Sequence, residues 1–228
     1  MKNHFILLLL IIAICAAGCG VYHPMTVDVP LISEKNDLRI DAGGAVFPSG
    51  FTTVSYGLTD KIAVQGFGTV GFNGRYYVQA AAGLYQKKED DKVMEFYGGY
   101  GFGYGDVYNY RKPGDFFGNY QLYFGQINYG KIANGSSAYF EGGFGFKGGY
   151  MLSAFTDKYY YDKVLETNVF KTYHDQSLLL EPVGFIRVGG NLKFSAKIGG
   201  TLIYKFTSKD KQLPYSFFNI GLGINYRF

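Results

Sequence analysis

From Leu38 onward, apolar positions alternate with small, polar or charged ones. The plainest stretch is the last, where Phe218, Ile220, Leu222, Ile224, Tyr226 and Phe228 are interleaved with Asn219, Gly221, Gly223, Asn225 and Arg227. A period of two belongs to the β-strand, whose successive side chains point to opposite faces of the sheet. The same period runs through 38–46, 51–58, 61–71, 75–85, 93–104, 119–131, 138–150, 178–189 and 192–206, so ten strands are predicted, with eight as the alternative count. In 93–104, Met94, Phe96, Tyr100, Phe102 and Tyr104 oppose Glu95 and a row of glycines. In 192–206, Leu192, Phe194, Ala196 and Ile198 oppose Lys193 and Lys197.

Such alternation suits a soluble sandwich with its apolar face inward, or a membrane barrel with the faces reversed. Three features favour the barrel. Several stretches reach 12 residues or more, enough to cross a bilayer at a tilt of about 45°. Gly99, Gly101, Gly103 and Gly105 share a face with charges and amides, as a crowded lumen needs and a solvated face does not. The connections also differ in kind. Thr59-Asp60, Lys87 to Asp91, Ile132 to Ser137 and Gly190-Asn191 are short and fall on one side. Asp106 to Gly118, Ser153 to Gln176 and Thr207 to Pro214 are longer and fall on the other, beside tight turns at Pro48 to Gly50 and Asn73-Gly74. The predicted class is therefore all-β: a transmembrane, antiparallel up-and-down barrel over 38–228.

Composition sharpens this picture. The 228 residues include 33 glycines, 22 tyrosines and 21 phenylalanines, which excludes a helical bundle, because glycine costs about 1 kcal/mol per helical position. A net charge of +4 with 47% hydrophobic residues excludes disorder, and two cysteines leave no room for a disulfide scaffold or thiolate metal site. The near-zero mean hydropathy, −0.03, is the sum of an apolar exterior and a polar interior.

Ahead of the strands, Lys2 and the apolar run Phe5 to Ala17 read as a signal peptide (1–18), too short to span a membrane as a helix. Its end, Ala16-Ala17-Gly18-Cys19, resembles the bacterial lipoprotein cleavage box, departing from it at Ala16, where leucine is usual. The resemblance implies cleavage before Cys19 and lipidation of that residue. Residues 19–37, broken by Pro24 and Pro30, read as a tether or as a segment folded into the barrel mouth or lumen. An even strand count returns both ends of the barrel to the periplasmic side, from which a lipid on Cys19 would enter the membrane.

From Leu38 to Phe228 the chain resembles the small outer-membrane β-barrels of the Gram-negative envelope. Ile224, Tyr226 and Phe228 are similar to the C-terminal signal that the barrel-assembly machinery reads, and Tyr56 to Val64 to the periplasmic hairpin common in such barrels. The resemblance implies a compartment, outer-membrane lipids as surroundings and that machinery as a partner during insertion. It does not specify an activity.

If odd positions face inward, the lumen collects Arg39, Arg75, Lys147, Arg187, Lys193, Lys197, Lys205 and Arg227 with Asp41, Glu95, Glu141 and Glu181. These form either a salt-bridged plug or the lining of a narrow pore with weak anion preference. Tyr159, Tyr160, Tyr161, Phe170 and Tyr173 in the longest external loop are candidate contacts for a surface protein or glycan; alternatively the stretch is two strands projecting beyond the membrane as a hairpin, or part of an aromatic girdle. His174-Asp175 superficially resembles the catalytic pair of ten-stranded outer-membrane proteases, but adjacent extended residues point apart. No catalytic residue, cofactor or metal site is assigned, and the expected role is non-enzymatic. The dinucleotide-like runs Gly66 to Gly71 and Gly143 to Gly148 lie inside strands, where no helix N-terminus can receive a phosphate. Glu89-Asp90-Asp91 reads as a solvated turn, and no motif points to nucleic acid.

Overall fold

The computed structural model describes residues 21–22, 27–45, 49–71, 74–107, 116–133, 140–162, 165, 167–206 and 215–228. The strands are β1 (Leu38–Ala45), β2 (Ser49–Gly57), β3 (Ile62–Gly71), β4 (Tyr76–Lys87), β5 (Lys92–Val107), β6 (Phe116–Lys131), β7 (Phe140–Asp162), β8 (Thr167–Gly189), β9 (Leu192–Gly200), β10 (Leu202–Lys205) and β11 (Phe218–Arg227). Each pairs antiparallel with its sequence neighbour from β1 to β9. β9 then pairs with β11, and β11 returns to β1 with Arg39 opposite Arg227. Ten strands thus close a barrel, and no sheet edge is left along that ring.

β10 is the extra strand. It continues β9 along the same edge of β8 and in the same register, Gly199 opposite Val183 and Leu202 opposite Leu180. The two are parted at Thr201, beside Pro182, a residue with no N–H to donate to a ladder. Thr201 turns its own N–H to the Phe217 carbonyl at 2.8 Å and its hydroxyl to Glu181 at 2.9 Å.

Of the readings of Ser153 to Gln176, the projecting hairpin describes the structure. β7 and β8 each run 23 residues and form a hairpin that outreaches the other strands, with a register shift between Asp157 and Tyr160. The alternation continues through polar residues there. Ser153, Phe155, Asp157, Tyr173 and Asp175 turn inward, opposite Ala154, Thr156, Thr172 and His174.

The outer and inner faces divide the residues sharply. Phe194, Val70, Phe144 and Leu222 stand more than half exposed on the outside, with Val78, Leu84, Phe96, Tyr123, Ile186, Ile198 and Ile224 among many others. Arg39, Glu95, Glu141, Lys147, Glu181 and Arg187 are buried inside. Tyrosines line the lumen near its long-connection end: Tyr77 stacks on Tyr120 with ring centroids 5.7 Å apart, and Tyr22 meets Tyr120 edge-on at 5.1 Å.

Candidate functional site: the occupied lumen

The lumen holds a length of the chain itself. Val27, Asp28, Val29, Leu31 and Ile32 are at most 2% exposed, although they belong to no strand. The segment passes down the barrel and turns at Glu34 to Asn36, where Asn36 takes a left-handed φ of 66° and donates its N–H to the Gly57 carbonyl at 2.8 Å. It then reverses into β1. At the other end, Val21 lies over Gly105 and Tyr22 bridges Tyr215 in parallel, its carbonyl accepting from the Ser216 N–H at 3.1 Å. For the described residues 21–22 and 27–33, the reading of a segment folded into the lumen describes the molecule, not that of a mere tether.

A buried segment outside a sheet must satisfy its backbone and charges by other means. Arg187 donates to the Val29 carbonyl at 2.6 Å, Gln126 to the Asp28 carbonyl at 2.7 Å, and the Ile32 N–H donates to Glu95 at 2.7 Å. The Asp28 carboxylate lies 2.6 Å from Lys197 Nζ, which also reaches Asp41 at 3.0 Å. Arg187 stands 3.7 Å from both Asp28 and Asp41 and 3.5 Å from Glu141. Glu141 also accepts Arg39 at 3.3 Å and lies 3.5 Å from Lys193, while Asp37 lies 3.5 Å from Arg39.

Four carboxylates, Asp28, Asp37, Asp41 and Glu141, therefore face four buried cations, Arg39, Arg187, Lys193 and Lys197, with the partly exposed Arg227 sharing Asp37 at the rim. Equal numbers matter in a dry interior, where an uncompensated charge costs several kcal/mol. Two of the carboxylates, Asp28 and Asp37, come from the segment that precedes β1.

The remaining predicted lumen residues fall above and below this cluster. Lys147 donates to Gln79 at 2.9 Å, lies 3.9 Å from Glu181 and sits over the Phe124 ring at 4.7 Å. Glu181 accepts the Tyr22 hydroxyl at 2.8 Å, and Glu95 accepts Asn128 at 2.8 Å. Lys205 pairs with Asp175 at 2.7 Å towards the long-connection end. Arg227 closes the short-turn end, donating to Ser33 at 2.7 Å and to Asp37 at 3.1 Å. Arg75 is half-buried just ahead of β4.

Sequence reasoning missed Asp28 and Asp37 because they precede the alternating region, and missed Gln126 and Asn128 because β6 inverts the parity. Its inward residues are the even ones, Tyr120, Leu122, Phe124, Gln126 and Asn128. The Tyr22 and Val29 contacts have no periodic signal at all.

The external candidates divide. Phe170 is 72% exposed on β8, whereas the partly buried Tyr173 turns inward and stacks on Phe155 at 5.2 Å. Tyr159, Tyr160 and Tyr161 lie in β7, and their side chains fall outside the described residues. Cys19 also lies outside them. His174 faces out into a groove of about 330 Å³ with Asn119, Gln121 and Gln176, while Asp175 beside it faces in. Ile224, Tyr226 and Phe228 are exposed on the outer face, the last two ring to ring at 4.5 Å. Among the described residues no group of three or more His, Cys, Asp or Glu could hold a metal. Comparison with models of known families and with curated proteins finds no match.

Proposed function

We propose that this chain is an integral outer-membrane β-barrel lipoprotein with no catalytic role, shut by its own amino-terminal segment, which acts through the projecting β7–β8 hairpin as a structural or binding component of the envelope. The observation that carries this reading is the outer face. Among the described residues, its outward positions carry no charge between Lys92 and Lys131 at the short-turn end and Asp106 and Lys158 at the other. Soluble proteins rarely expose contiguous apolar patches beyond a few hundred Å², whereas a bilayer requires such a belt. Tyrosines and phenylalanines cluster near both ends of the belt, as Tyr76 with Tyr104 and Tyr226 with Phe228, the placement favoured at lipid headgroups.

The plugged lumen favours this reading over a solute pore, because Lys197, Arg187 and Glu95 each bond the segment that crosses it. A role through the hairpin rests on its length and on the exposed Phe170. The test is electrophoresis of the membrane fraction with and without boiling. The folded barrel is expected to migrate differently before heating and to resist carbonate extraction. Identical mobility with easy extraction overturns the proposal.

A further inference from the structure

The direction in which the segment crosses the lumen bears on where the amino-terminal end is held. Ser33 to Asp37 sit at the short-turn end with Arg227, while Val21 sits over Gly105, two residues from the long-connection end of β5. Tyr22 is fixed at that same end by Tyr120 near the start of β6, by Glu181 and by the backbone of Tyr215 and Ser216. The chain thus runs from the long-connection mouth to the short-turn mouth before β1 begins.

Taking the membrane reading as its basis, we propose that the amino-terminal segment is threaded outward through its own barrel, so that Cys19 and the lipid it carries stand on the outer side of the membrane. Cys19 precedes Val21 by two residues, which span at most about 7 Å. From Gly105 to Lys92 the wall is about 30 Å high, taking about 3.3 Å per residue and a tilt near 40°. A lipid at the periplasmic leaflet is therefore incompatible with Val21 and Tyr22 in their observed places. The nearest apolar phase at the outward mouth is the outer leaflet. This revises the expectation from strand count alone, under which the lipid enters from the periplasmic side. β1 does begin at that side, but the residues before it return through the lumen.

Two further contacts make the path specific. Val29 Cγ2 lies 2.7 Å from where a Cβ on Gly145 would stand, and Leu31 lies 2.9 Å from the corresponding point on Gly130. The wall is hollowed where the segment has side chains, as expected for a fixed passage rather than a loosely inserted tail.

The experiment places an epitope tag between Gly20 and Val21 and, in a second strain, within the Glu89–Asp91 turn. Antibody binding is compared on intact and permeabilised cells, and an alkyne fatty acid supplied in the medium reports lipid on Cys19 by its loss in Cys19→Ala. Antibody reaching the first tag on intact cells, and the second only after permeabilisation, is the expected result. A first tag read only after permeabilisation overturns the proposal, as does absence of the lipid label. A disulfide between Val29→Cys and Gly145→Cys, formed in the tagged chain, shows that the tag has not displaced the segment; its failure in the untagged chain also overturns the proposal. Loss of heat-dependent mobility in the wild type would instead strike at the barrel reading itself, so the two failures are distinguishable.

Discussion

Each inward glycine at the upper end of β5 is matched by a group lying where its Cβ would stand. Tyr77 covers Gly101, Tyr120 covers Gly103 and the Val21 backbone covers Gly105. Gly98, on the outer face of the same strand, has nothing within 4 Å of that position. Gly103→Leu is therefore expected to lower the temperature at which the folded band converts on heating, with an overpacking cost of about 1–3 kcal/mol, while Gly98→Ala leaves it nearly unchanged. The charge cluster makes a second prediction at this scale. Asp28→Asn deprives Lys197 and Arg187 of a buried partner, a change that costs about 3–5 kcal/mol where nothing else compensates. Asp41 remains to Lys197, so the lower end of that range is expected. The double variant Asp28→Leu with Lys197→Leu should lose less stability than the two single changes added together, measured by the same heat conversion.

Among the elements, the β7–β8 hairpin is separable from the barrel. Its outer part begins beyond Thr156 and Thr172, whose hydroxyls meet at 2.9 Å. Beyond that pair lie the register shift and the exposed Phe170 and Leu165. Replacing 157–171 by an Asn-Gly turn is expected to leave heat-dependent mobility intact while removing whatever partner contact the hairpin makes. Loss of the folded band would show instead that the hairpin is needed for closure. Strand positions were legible because the period of two extends over most of the chain. The projecting hairpin was legible only as one of several readings, because its alternation runs through Ser153, Thr156, Asp157 and Thr172, which mimic the composition of a loop. The gap at Thr201, which lies beside a proline on the neighbouring strand, was not legible.

For the molecule as a whole, the plug determines what the barrel can pass. Deleting residues 21–33 removes Asp28, the backbone acceptors at Val29 and Asp28, and the hydrogen bond of Ile32 to Glu95. Arg187 and Lys197 would then face water. Planar-bilayer recordings are expected to show no discrete channels for the intact chain and a small conductance favouring anions for the deletion variant. Channels of equal size in both would remove the plug from any account of permeability. The inward charges of the strands were largely legible from alternation, but their balance was not. Half the carboxylates of the central cluster, Asp28 and Asp37, come from a stretch whose sequence reads as a linker, since periodicity carries no information about a chain enclosed by other strands.

The closure of β1 on β11 joins the two ends of the wall. The wall is complete only when the final residues reach Arg39 and Ile40, yet the segment it encloses precedes every strand in the chain. Because Val29 and Leu31 occupy hollows in the finished wall, the enclosed segment and the strands around it complete one another's packing. What lies inside the barrel is thus held by the two ends of the chain's own wall meeting around it.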